Sequence, residues 1–96
     1  MEVLWLAQEE VKSVMDMSSD MQVVEQAFRQ HGLGRVQMPP KSYLYYTAYN
    51  GDLRTMPAYL EEENITGVKI VNVHPGNPAR GLPTVMALIV LISPET

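Results

Sequence analysis

The chain contains no cysteine, which excludes disulfide staples and thiolate metal sites. It also has no cluster of basic residues: seven Lys and Arg are scattered among eleven Asp and Glu, for a net charge of −4. Nucleic-acid affinity comes mainly from grouped Lys and Arg, so no nucleic-acid partner is expected. The longest apolar run, Val85 to Ile92, falls far short of the roughly 18–20 residues that span a bilayer. The N-terminus shows no basic stretch leading into an apolar core, the pattern of a secretory leader. A soluble, cytoplasmic protein with no membrane partner is the resulting expectation. No His or carboxylate spacing makes a metal site. Gly32-Leu33-Gly34 is not a dinucleotide fingerprint either, because the third glycine is missing and the pair follows a helical pattern, not a strand.

What is present is a folded composition, with 46% hydrophobic and 19% charged residues over 96 positions. That length allows one small domain with a modest core. Val3 to Leu6 reads as a short strand, and Gln8-Glu9-Glu10 opens a helix with its acids near the positive end of the dipole. Ser18, Ser19 and Asp20 are N-cap candidates for a second helix, whose Met21, Val24, Ala27, Phe28 and His31 share a face, and Gly32 or Gly34 supplies its C-cap. Beyond Met38-Pro39-Pro40 the period changes to two. Tyr43, Tyr45, Thr47 and Tyr49 alternate with Leu44, Tyr46 and Ala48, and Asn50-Gly51 is a two-residue hairpin signal. Leu53 to Leu60 is the return strand, with Pro57 marking an edge or a bulge, and Glu61 to Glu63 is a loop. Val68 to Val73 and Val85 to Ile92 complete the strands. The last shows no alternation, which predicts burial on both faces. Two helices followed by strands predict an α+β fold with a largely antiparallel or mixed sheet. So few elements cannot cover both faces of the last strand, so further sequence or a partner subunit is expected to supply the cover.

Chemistry concentrates in three places. Lys69 lies inside a Val-Ile run and shares its face with Val71 and Val73; a lysine there fits an anionic ligand, because burying an ammonium without a partner is costly. It equally fits a lysine whose stem is buried and whose head reaches water. Arg54 alternates with Met56 and Ala58, and its guanidinium suits bidentate binding of a carboxylate; a pair with Asp52 or Glu61 is the competing reading. The segment His74 to Pro83 is a stiff Pro- and Gly-rich loop, followed by Thr84 with a hydroxyl and an amide to offer. His74 fits a loop hydrogen-bonder, and the tyrosine stripe fits packing, a pocket or an interface.

Several segments together carry a resemblance: Val24-Glu25-Gln26-Ala27-Phe28-Arg29, Met38-Pro39-Pro40-Lys41, Gly51-Asp52-Leu53-Arg54-Thr55-Met56-Pro57-Ala58, Gly67 through Pro78, and Gly81-Leu82-Pro83-Thr84-Val85 with the closing Pro94-Glu95-Thr96. In that order, over nearly the whole chain, they resemble the N-terminal part of the ornithine cyclodeaminase/mu-crystallin family, most closely its archaeal alanine dehydrogenase branch. The resemblance implies that residues 1–96 form the N-terminal part of a substrate-binding and dimerisation lobe. A Rossmann domain binding most of the NAD is then expected after residue 96. It implies a homodimeric enzyme acting on a small amino acid or 2-oxo acid. Lys69 is implied as the active-site lysine contacting substrate, Arg54 as helping to hold the carboxylate, and Thr84 as touching the cofactor. Lys41 stands where cyclodeaminases carry a carboxylate-binding arginine, which leans toward the alanine dehydrogenase branch. The 96-residue chain by itself is expected to be inactive. The alternative is a non-catalytic dimerising or small-ligand-binding module, as in a mu-crystallin-like relative.

Overall fold

Each helix starts where a side chain meets its free N-terminal amides. In the computed structural model, which describes residues 1–96, α1 spans Gln8–Val14, and Glu10 reaches back to accept from the Ala7 N–H at 2.6 Å. Helix α2 spans Met17–Gly32. Its cap is Asp16, not the expected Ser18, Ser19 or Asp20: the Asp16 carboxylate accepts from the Ser19 amide at 3.1 Å and from its hydroxyl at 3.0 Å. The nearest good acceptor before the apolar stripe wins, and Ser19 becomes its third-position partner. Gly34 takes the left-handed conformation just past the helix end, with φ of 74°. The strand expected at Val3 to Leu6 does not form; residues 1–7 carry no regular structure, as no neighbouring strand offers them a ladder.

Five strands follow: β1 Val36–Gln37, β2 Ser42–Tyr46, β3 Gly51–Leu60, β4 Ile65–Val73 and β5 Val85–Ile92, with short 3₁₀ turns at Thr47–Tyr49 and Asn77–Arg80. All pairings are antiparallel, in the order β1-β3-β4-β5 with β2 also on β3. The fold is α+β, as expected. Strands β1 and β2 share one edge of β3, pairing with Tyr59–Leu60 and Gly51–Thr55 respectively. Met56–Ala58 is left without a partner on that side, so Pro57 sits where its missing N–H costs no ladder bond.

The β2–β3 turn is longer than a two-residue hairpin. Tyr46 faces Gly51, so four residues, Thr47–Asn50, make the connection, and only Asn50 has positive φ, at 48°. Gly51 is required for room instead. A Cβ there would meet the His74 ring at 2.5 Å and the Val73 carbonyl oxygen at 2.8 Å. Gly51→Val is therefore expected to destabilise the protein by about 1–3 kcal/mol, the usual overpacking cost, read as a lower denaturation midpoint. An unchanged midpoint would show that the strand yields without strain.

Neither helix packs across the sheet. Helix α2 joins it at the β1 edge, where the Glu61 amide donates to the Arg35 carbonyl at 3.1 Å and Arg35 pairs with Glu62 at 2.7 Å. Both faces stay open, and Val71 is the sole buried hydrophobic residue. The burial expected for β5 is absent within the chain: Ile89 is 65% and Leu91 73% exposed, because β5 is an edge strand with no layer against it. No helix is long and apolar enough to cross a membrane.

Candidate functional site

Alternation within β3 places Asp52, Arg54, Met56 and Ala58 on one face of the sheet. The register completes that face across the neighbouring strands. Arg54 stands between Tyr43 of β2 and Val71 of β4, and Val71 faces Ala87. The next row places Lys69 between Met56 and Ile89. Lys69 is thus a diagonal neighbour of Arg54, at the about 7–8 Å that such positions have at the backbone. Long side chains at that spacing can converge on one carboxylate. Arg54 and Lys69 put two cations on one face of an acidic protein. Lys41 lies just before β2 and is paired with no residue of β3.

Their environments differ. Lys69 is exposed, so the dry pocket expected around it does not exist within these 96 residues: only its own sheet lies against it, and no layer covers that face. It takes part in no ion pair, and neither does Lys41. Arg54 is engaged. Its Nε–H donates to Asp52 Oδ1 at 2.7 Å and its Nη2–H to Oδ2 at 3.3 Å, the pairing that the competing reading of Arg54 names. The Arg54 guanidinium, through its hydrogen bonds more than its charge, holds the Asp52 carboxyl below the usual carboxylate range, and Asp52 in turn raises Arg54. The guanidinium also lies over the Tyr43 ring, 5.2 Å from Cζ to centroid, a favourable cation–π geometry. Tyr43 stacks on Tyr45 with centroids 5.8 Å apart.

Thr84 lies elsewhere. It precedes β5 and faces His74, whose amide donates to the Thr84 carbonyl at 2.8 Å. Alternation puts it with His74 and Tyr46 on the reverse face, so the structure sets Arg54 and Lys69 on one face and leaves Thr84 behind the sheet. The Thr84 side chain makes no hydrogen bond within the chain. His74 is held by stacking on Tyr46, 5.6 Å between centroids, and by the space that Gly51 leaves. The His74–Pro83 loop is closed by Asn77, whose side-chain amide donates to the Pro83 carbonyl at 2.9 Å. Concavities of about 660 and 330 Å³ lie along the start of α2 and beside His74, Asn77 and Arg80, neither lined by Arg54 or Lys69. No three His, Asp or Glu side chains gather as a metal site.

The Tyr43 platform beneath Arg54 escaped sequence reasoning, though a signal existed: once β2 and β3 are taken as a hairpin, register alone sets those two side chains opposite. The turn length decides that register, and the Asn50-Gly51 signal misstates it.

Comparison with known proteins gives a consistent picture. The model of the ornithine cyclodeaminase/mu-crystallin family matches residues 1–96. Alanine dehydrogenase of Archaeoglobus fulgidus is 57% identical over 96 residues, all of this chain and 29% of that protein. Among solved structures, an archaeal alanine dehydrogenase dimer with bound NAD aligns with a TM-score of 0.85 at 57% identity, over 93% of this chain and 27% of its own. The Δ1-pyrroline-2-carboxylate reductase of Thermococcus litoralis, in complex with NADH and L-proline, aligns with a TM-score of 0.85 at 33% identity, over 88% of this chain and 26% of its own. The chain therefore spans less than a third of the length of these relatives.

Proposed function

The chain belongs to the ornithine cyclodeaminase/mu-crystallin family, and from that premise we propose that it is the N-terminal part of the substrate-binding and dimerisation lobe of an NAD-dependent amino-acid oxidoreductase of alanine dehydrogenase type. The observation that supports this reading is that Arg54 and Lys69 stand in adjacent rows on one face of the sheet. The identity of 57% to an alanine dehydrogenase supports a small amino acid and its 2-oxo acid as the substrate pair.

In this reading Arg54 and Lys41 hold the carboxylate, and Lys69 stands beside the carbon that bears nitrogen. The oxo acid brings one negative charge to the face. Asp52 neutralises Arg54 in part, and the two lysines supply the excess positive charge that attracts and orients the acid. An ammonium at Lys69 polarises the carbonyl as an amine adds and can pass a proton to the departing oxygen. The open side of the face would be closed by chain beyond residue 96, including the expected Rossmann domain, and by the second subunit of a homodimer. Exclusion of water there strengthens each of these charge contacts. When bound, chiefly by that further domain, NAD would supply the hydride-transfer chemistry. This chain has no phosphate-cradling glycine loop. The protein would work in the cytoplasm.

Kinetics of the full-length protein test the carboxylate grip. Arg54→Ala is expected to raise KM for pyruvate by about 10–100-fold, the loss of a charged hydrogen-bonded contact, with KM for NADH unchanged; Lys41→Ala should act in the same direction, more weakly. An Arg54→Ala protein with the parent KM for the oxo acid would exclude this site. A protein with no turnover on any amino or oxo acid would instead fit the non-catalytic module.

A further inference from the structure

Arg54 does not present a free guanidinium. Its Nε and Nη2 edge is committed to the two Asp52 oxygens at 2.7 and 3.3 Å. One of its faces rests on Tyr43. Nη1 makes no hydrogen bond within the chain. A carboxylate on one edge and a nearby ring restrict a side chain that otherwise loses much rotamer freedom when it is fixed. Asp52 is itself held, standing between Tyr45 and Val73 in the sheet with its side chain 18% exposed.

An acid beside an anion-binding cation weakens the very charge that the site needs. Its presence calls for a compensating gain, and the fork geometry supplies one. Side-on pairing through Nε and Nη2 leaves the terminal edge, Nη1 with the outer hydrogen of Nη2, as the remaining bidentate donor pair. We propose that Asp52 is a positioning residue, which holds the Arg54 guanidinium side-on so that the Nη1 edge is presented to the substrate carboxylate. This rests on the carboxylate-binding reading of Arg54. A guanidinium already oriented loses less freedom when substrate arrives, so the gain appears in binding and not in the chemical step. Lys69, in the next row, keeps the face positive in spite of Asp52.

The opposite role gives the opposite sign. Were Asp52 a competitor that substrate must displace, its removal would tighten binding. In the full-length protein, Asp52→Asn is expected to raise KM for pyruvate about tenfold, with kcat within about threefold and KM for NADH unchanged. Asp52→Glu, which keeps the charge and shifts the fork by one methylene, should fall between the two. In an Arg54→Ala background, Asp52→Asn should change KM no further, since the two residues act as one unit. A KM that falls or stays constant in Asp52→Asn overturns the proposal, as does an equal rise in the Arg54→Ala background, which would mark a general structural effect. If Asp52→Asn does not fold, the same cycle run with Asp52→Glu decides. Should Arg54→Ala alone leave KM unchanged, it is the carboxylate reading that fails, and the result is distinct from a failure at Asp52.

Discussion

Lys69→Ala in the full-length protein is expected to lower turnover with pyruvate, ammonium and NADH by roughly 10²–10⁴-fold, the usual range for losing a positioned proton donor. The melting temperature should barely move. Lys69 is exposed in this lobe, forms no ion pair, and projects from a strand whose backbone is fully paired on both sides. Substitutions at such positions are usually within about 0.5 kcal/mol, so lost turnover could not be assigned to unfolding. Lys69→Arg separates two roles. Arginine keeps the charge but does not release a proton in this pH range, so an electrostatic role would survive that change and a proton-transfer role would not. Turnover of Lys69→Ala near that of the parent would sink the assignment.

The second large effect concerns the 96-residue chain on its own, which should self-associate and should not melt as a monomer. Its accessible surface is 8022 Å², against about 5,500 Å² for a compact monomer of 10.8 kDa. Its radius of gyration is 15.9 Å, where about 12.5 Å is usual for this length. The excess lies on both sheet faces and along β5, an apolar edge strand with an open row of N–H and C=O groups. Both the missing burial and the free edge favour a second chain. Size-exclusion chromatography with light scattering at tens of micromolar, followed by a thermal melt, checks this. A monodisperse monomer with one cooperative transition would contradict it.

Most element positions were legible in the residues. Strand β5 forms at Val85–Ile92, as its apolar run predicts, and the β3–β4 connection turns at Glu61–Asn64, where the acids cluster. Pro57 marks an edge, and Gly34 ends α2, each for a reason carried by one residue's backbone. The errors fall where two local signals compete. Asp16 outcompetes three later capping candidates, and a four-residue loop replaces the two-residue turn read from Asn50-Gly51, because Gly51 is needed to clear His74.

The site divides in the same way. Lys69 and Arg54 stand out by themselves, as cations within apolar alternation, and the order of motifs is enough to identify the family. That Arg54 and Lys69 share a face is decided by strand register, a relation between distant segments that no local pattern states. Register likewise sets Thr84 on the other side and seats Arg54 between Asp52 and Tyr43. The exposure of Lys69 follows from which layers surround the sheet, and that depends on tertiary partners, not on the valines beside it.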